Sequence, residues 1–238
     1  MDGTLTLGER LLPGARRFLD LLDANDIGYL LLTNNSSKHR GLYAARLRRL
    51  GLAVPEERIF TSGEATALTL RRRKPGARVF LVGTPALEEE FRRHGFTLTA
   101  DAPEYVVLGF DTTLTYRKLW QLCDFVRAGL PYIATHPDLN CPVEGGYMPD
   151  IGATIAFVEA STGRRPDVIV GKPNPPIVEA LMERAGGLPV EALCMVGDRL
   201  YTDIALGATG MKTVLVLTGE TRREDLEGSP YRPDLVVR

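Results

Sequence analysis

The chain has 238 residues, 44% hydrophobic and 25% charged, enough for one large domain or two modest ones with a buried core. Its 29 basic and 30 acidic residues leave a formal net charge of −1, which gives no electrostatic case for nucleic acid or an acidic membrane surface. The odd, widely spaced Cys123, Cys141 and Cys194 argue against a disulfide framework or a zinc site, and no apolar run is long enough to span a bilayer.

Residues 1–10 carry acids and no apolar core, so they do not read as a signal peptide. With three unpaired thiols, this predicts a soluble protein of the reducing cytoplasm. From residue 14 onward the pattern alternates. Phe18, Leu19, Leu21 and Leu22 lie at helical spacing over 14–24, and 28–32 reads as a short buried strand. That strand stops at Thr33-Asn34-Asn35-Ser36-Ser37, a polar turn that also supplies a helix N-cap. A helix is predicted over 38–50, ended by Gly51, and another after Thr61-Ser62-Gly63-Glu64, which has the form of a capping box. The basic run Arg71–Lys74 closes that second helix, where cations complement the dipole; this bland reading outweighs a binding patch.

Strands are then predicted at 79–82, 105–109 and 132–134, with helices at 88–94 and 116–128 between them. Trp120 and Phe125 share helical spacing with Leu119 and Leu122 and are expected in a core, while His39 and His94 are expected on solvated helix surfaces. Residues 137–149, rich in Pro, Gly, Asn and Asp, read as a long loop. Beyond them come a helix at 152–161, a strand at 168–170 leading into Gly171-Lys172-Pro173, and a helix at 177–185. A strand at 192–196 ends in Gly197-Asp198, followed by a helix at 202–208 and strands at 213–217 and 233–237.

Alternating strands and helices imply a parallel α/β sheet, and such sheets bind ligands beyond the carboxyl ends of their strands. The polar residues directly after strands are Thr33-Asn34, Thr135-His136, Lys172, Asp198 and Thr218. A phosphate monoester needs its oxygens neutralised, an in-line nucleophile and a proton for the leaving alcohol. Asp198 and Asp203, five residues apart around a strand-to-helix turn, suit magnesium and its waters. Lys172 supplies a point charge, and Thr33 with nearby N–H groups and the helix start near Ser36 can meet phosphate oxygens. Singly, each has a plainer reading: a cap, a turn with a solvated lysine, a helix N-terminal charge. No GxGxxG and no P-loop lysine motif supports a nucleotide cofactor.

Met-Asp-Gly-Thr-Leu at 1–5, Leu-Thr-Asn-Asn at 32–35, Gly-Lys-Pro at 171–173 and Gly-Asp-Arg-Leu-Tyr-Thr-Asp at 197–203 resemble the four ordered motifs of haloacid dehalogenase (HAD) phosphatases. The stretch Thr135–Pro142, Ile155 and Gly163-Arg164-Arg165-Pro166 resembles the NagD-like, para-nitrophenyl phosphatase subgroup. The resemblance implies a Rossmann-like parallel-sheet core, residues 1–74 and 168–238, with an inserted α/β cap, residues 75–167. It implies a Mg2+-dependent phosphomonoester hydrolase acting on a small phosphorylated metabolite through an aspartyl-phosphate.

In that pattern Asp2 is the general acid and gives its main-chain carbonyl to the metal. Gly3, Thr33, Asn34 and Asn35 bind phosphate, and Lys172 stabilises the phosphorylated aspartate. Asp198 is the side-chain metal ligand and Asp203 orients metal waters. His136 and Asp138, at a strand end in the cap, are expected to face substrate if they are not simply turn residues. The subgroup's caps often mediate dimers, so a homodimer through the cap is expected. The family's first motif reads Asp-x-Asp-Gly-Thr, and Met1 stands at x, so the nucleophile would precede the chain, as would the central strand that carries it. As written, the chain is then expected to be inactive, whether from a misplaced start, trimming or true loss of catalysis. A phosphate-binding regulatory protein and a phosphotransferase remain alternatives, and the family usually adds a further helix at the C-terminal end.

Overall fold

The computed structural model describes residues 1–143 and 145–237, so Glu144 and Arg238 lie outside the described residues. In chain order the elements begin with a small hairpin, β1 (Thr6–Leu7) and β2 (Arg10–Leu11), followed by α1 (Ala15–Ala24), β3 (Leu31–Thr33) and α2 (Arg40–Arg49). Next come β4 (Ile59–Thr61), α3 (Ser62–Arg73), β5 (Arg78–Val82), α4 (Pro85–Arg93), β6 (Thr97–Leu98), β7 (Tyr105–Leu108) and α5 (Tyr116–Arg127). Then follow β8 (Tyr132–Ala134), the pair β9 (Asn140–Val143) and β10 (Gly146–Pro149), α6 (Ile151–Thr162), β11 (Val168–Ile169) and α7 (Pro175–Arg184). The chain closes with β12 (Cys194–Gly197), a 3-10 turn over Ile204–Thr209, β13 (Lys212–Val216), the one-turn α8 (Asp225–Gly228) and β14 (Leu235–Val237).

Two compact units emerge. The first comprises Met1–Leu32, Tyr43–Ile59 and Lys172–Arg238, the second Thr33–Leu42 and Phe60–Gly171. In the first unit β12, β13 and β14 form a parallel sheet in that order, Val196 opposite Val214 and Leu215 opposite Val236. Leu19, Leu47, Leu52 and Ile59 centre one apolar cluster there, and Leu200, Ile204 and Leu215 a second. In the second unit five parallel strands run in the order β11-β8-β7-β5-β6. Four of the five residues of β5 are buried, the near-continuous apolar run expected of a parallel strand covered on both faces. Phe80, Val106, Leu122, Tyr132, Ile151 and Val158 are among the side chains that fill its core.

Residues 137–149, read as a loop, instead contain the antiparallel ribbon β9–β10, with Asn140 opposite Pro149 and Val143 opposite Gly146. Most of its residues are exposed, so it carries no burial alternation for a sequence reading to detect. The helix expected from residue 38 starts at Arg40, further from Ser36 than expected. The helix expected at 202–208 is the tighter 3-10 turn ending at Gly210, for Gly207 weakens an α-helix by about 1 kcal/mol. Trp120 is not in the core. Helix α5 buries Leu122, Cys123 and Val126, which leaves Trp120 on the opposite face at 64% exposure. His39 and His94 are half-buried and face Glu89 at 3.5 Å and Glu90 at 3.1 Å. Arg71, Arg72 and Arg73 occupy the last turn of α3 as expected. All three cysteines are free. Among the described residues, no helix is long and apolar enough to cross a membrane.

Candidate active site

The predicted site residues fall into two groups, one in each unit. Asp2, Gly3, Lys172, Asp198 and Asp203 belong to the first, and Thr33, Asn34, Asn35, His136 and Asp138 to the second.

In the first unit β12 ends at Gly197, and the next six residues bring Asp198 and Asp203 back beside one another. Asp203 accepts three hydrogen bonds. Its Oδ1 accepts from Lys172 Nζ at 2.6 Å, and its Oδ2 accepts the N–H groups of Asp198 at 3.2 Å and Arg199 at 3.1 Å. Burial pushes this carboxyl up, but Lys172 and the Arg199 N–H bond hold it below the ordinary aspartate value. Asp198 goes the other way. Burial raises it, the Glu220 N–H only partly opposes that, and the nearby Asp203 charge raises it further. Asp203 is thus a fixed anion that holds Lys172 and the turn, while Asp198 is a buried carboxylate that a cation would stabilise.

Space around Asp198 is kept by glycine. A Cβ on Gly219 would lie 2.1 Å from Asp198 Oδ2, and one on Gly3 would lie 2.2 Å from the same oxygen. Gly3 also has φ +79°, a left-handed conformation that suits glycine. Thr4 Oγ1 donates to Asp198 Oδ1 at 3.3 Å and Glu220 N–H to Oδ2 at 2.9 Å. Thr218 Oγ1, from the end of β13, donates to the Gly3 carbonyl at 2.7 Å and ties the first motif to that strand. A buried carboxylate with a hydroxyl beside it offers oxygen ligands, which fits a hard divalent cation.

Asp2 presents its carboxylate elsewhere. Its Oδ1 accepts from Thr6 Oγ1 at 2.8 Å and from Arg46 at 3.2 Å. Arg46, buried in α2, also donates to the Gly8 carbonyl at 2.5 Å and to Glu9 at 3.2 Å, fastening the β1–β2 hairpin.

In the second unit Thr33, Asn34 and Asn35 form the turn after β3. Asn35 N–H meets Thr33 Oγ1 at 3.3 Å, and the buried Ser62 hydroxyl donates to the Asn34 carbonyl. Asn34 Nδ2 donates to Asp138 Oδ1 at 2.9 Å, so β8's end loop and the second motif meet side chain to side chain. His136 is fully buried between Asp138 and Asp150, and ligand atoms of these three residues lie within 4.8 Å of one another. The imidazole faces Asp138 with Nδ1 at 3.8 Å and Asp150 with Nε2 at 3.5 Å, so it sits between two carboxylates.

Sequence reasoning found the strand-end residues but missed Thr4, Glu220, Arg46 and Asp150. Thr218 stood out as a strand-end residue without an assigned task. Asp150 alone left a local signal, as an acid just before a predicted helix.

Residues 1–97 match a family model described as haloacid dehalogenase-like hydrolase, and residues 169–238 match a related HAD-hydrolase-like model. A dihydroxyacetone phosphatase of Corynebacterium glutamicum is 35% identical over all of this chain and 86% of its own length. The crystal structure of a 4-nitrophenylphosphatase from Thermotoga maritima superposes with a TM-score of 0.96 at 47% identity, covering 100% of this chain and 91% of that one. A glycerol phosphate phosphatase from Mycobacterium tuberculosis, solved with magnesium, gives a TM-score of 0.92 at 32% identity, over 100% of this chain and 72% of that one.

Proposed function

The chain belongs to the haloacid dehalogenase-like hydrolases, and from that premise we propose that it is a NagD-like, Mg2+-dependent phosphatase of small phosphomonoesters. The observation that carries the reading is the opposed pair of buried carboxylates, Asp203 paired with Lys172 and Asp198 raised in a glycine-walled recess. Asp198 and the Asp2 carbonyl would hold the metal, with Asp203 orienting its waters. Bound there, Mg2+ would neutralise phosphoryl oxygens and orient them for in-line attack. Lys172 adds the second positive charge at the phosphoryl group. In the family pattern Gly3, Thr33, Asn34 and Asn35 would donate hydrogen bonds to its oxygens, and Asp2, once turned from Thr6 and Arg46, would give a proton to the departing alcohol. In the family pattern the attacking carboxylate is an aspartate two positions before the one that Asp2 matches, and its acyl phosphate is hydrolysed in a second step.

Relatives named for dihydroxyacetone, glycerol phosphate and 4-nitrophenyl phosphate support small polyol and aryl phosphates as the substrate class. The core and inserted cap divide at residues 75–167 in this reading. Three free thiols suit a cytoplasmic protein. The exposed Tyr116, Trp120 and Phe157 on α5 and α6 suit contact with a second copy.

The test is Mg2+-dependent phosphate release from para-nitrophenyl phosphate, by this chain and by one carrying the residues encoded upstream of Met1. Turnover in the extended chain that vanishes with Asp198→Asn supports the reading. Silence in both chains favours a catalytically inactive phosphate-binding protein, undiminished activity of Asp198→Asn refutes the metal assignment, and phosphorylated products in the presence of added alcohols would mark a phosphotransferase.

A further inference from the structure

The loop leaving β8 is held at Thr135, His136 and Asp138. Thr135 and Ser36 share a hydroxyl hydrogen bond of 2.9 Å, and the Asp138 carbonyl accepts the Gly152 N–H at 2.8 Å, at the start of α6. The Asp138 N–H donates to His136 Nδ1 at 3.4 Å, which makes that nitrogen an acceptor and leaves the ring proton on Nε2. Nε2 faces Asp150 Oδ1, and that same oxygen caps α6 by accepting the Ile151 N–H at 2.7 Å. Gly171 closes the arrangement from another side, since a Cβ there would lie 2.5 Å from His136 Cβ and 2.9 Å from Asn34 Oδ1. Asp138 Oδ1 receives the Asn34 amide.

An ionised carboxylate pointed directly at a phosphoryl dianion would repel it. The same carboxylate bonded to an amide does something useful. It fixes which way the Asn34 carboxamide faces and, with Ser62 on the Asn34 carbonyl, the conformation of the turn that presents the N–H groups of residues 33–35. We propose that Asp138, braced by His136 and Asp150, is a positioning residue that sets the Asn34 side chain and with it the phosphate-binding turn, rather than a contact to the substrate. This rests on the phosphatase reading above.

The experiment compares Asp138→Ala, which removes the acceptor, with Asp138→Asn, which keeps a carbonyl oxygen in the same place and loses only the charge. Each variant is made in the chain extended upstream of Met1 and measured for KM, kcat, inhibition by inorganic phosphate, Mg2+ activation and the 15N–1H signals of the Asn34 side-chain amide. Asp138→Ala should weaken both KM and phosphate inhibition by on the order of tenfold, the loss of one well-aligned hydrogen bond to a charged acceptor. It should shift the Asn34 amide signals and leave Mg2+ activation unchanged, whereas Asp138→Asn should restore both the affinity and the signals. Equal damage in the two variants would mean that the charge acts on substrate directly, and unchanged phosphate inhibition in Asp138→Ala would remove any positioning role; either overturns the proposal. If the alanine variant does not fold, Asp138→Asn decides alone, since lost phosphate affinity refutes and retained affinity with unmoved amide signals supports. Absence of phosphatase activity in the chain extended upstream of Met1 would defeat the functional reading, while the amide signals would still report on Asp138.

Discussion

Lys172 and Asp203 are buried together, and each makes the other tolerable. Removing the ammonium by Lys172→Met leaves an uncompensated buried carboxylate, which costs about 3 kcal/mol at neutral pH. The pH dependence has a definite sign. The Asp203 carboxyl is depressed in the folded protein, so its contribution is present above the unfolded aspartate value near 4 and is lost as pH falls through the lower folded value. Without Lys172 the burial effect is unopposed by its largest partner, so the acid limb of the melting-temperature profile should move to higher pH; an unmoved limb would mean that the pair does not govern it. Gly219→Ala tests the neighbouring oxygen differently. Its Cβ would sit 2.1 Å from Asp198 Oδ2, so the carboxylate must turn away. Mg2+ activation should weaken by about tenfold or more while the melting temperature moves little, because the recess and not the core is disturbed. Asp198, Asp203 and Lys172 were legible in the sequence because each directly follows a strand or its turn. Arg46, Thr4 and Asp150 were not, because their partners lie far away in the chain or depend on which way a side chain leaves a helix.

The parallel strands and most helices could be located from periodicity because burial imposes it. Helix α3 is the clearest case. Thr61 sits in the extended conformation before it and accepts the Glu64 N–H at 3.1 Å, as the Thr-Ser-Gly-Glu start predicts. Thr61→Ala should therefore cost about 1 kcal/mol of stability in chemical denaturation, with Thr61→Ser close to wild type; equal losses would place the cost in packing and not in the cap. The same logic explains the failures. Strands β9 and β10 contain Asn140, Pro142, Gly146 and Pro149, residues whose local preferences favour turns, and their pairing buries little. The 3-10 turn after Asp203 is short, with Gly207 inside it, so neither composition nor period separates it from an α-helix. Trp120 was misplaced for another reason: the periodic stripe on α5 is wider than the face the sheet covers, and a sequence does not say where the cover stops.

At the scale of the molecule, that uncovered face is where sequence and structure meet a question neither sheet answers. Tyr116 is 77% exposed, Trp120 64% and Phe157 45%, on two adjacent helices of one unit. Asp124 and Arg127 stand beside them, 3.0 Å apart. A net charge of −1 sets no long-range repulsion between copies, and an acid and a base on one patch can pair crosswise about a two-fold axis. Aromatic side chains carry much of the energy in such interfaces, and a stable one buries about 800 Å² on each partner. Sedimentation at micromolar concentration should accordingly give a dimer, and Trp120→Glu a monomer with an unchanged melting temperature for the second unit, since the side chain contributes little to its core. A wild-type monomer would dismiss the pairing outright. A dimer that survives Trp120→Glu would place the interface on another surface and leave the exposed aromatics of α5 and α6 without that role.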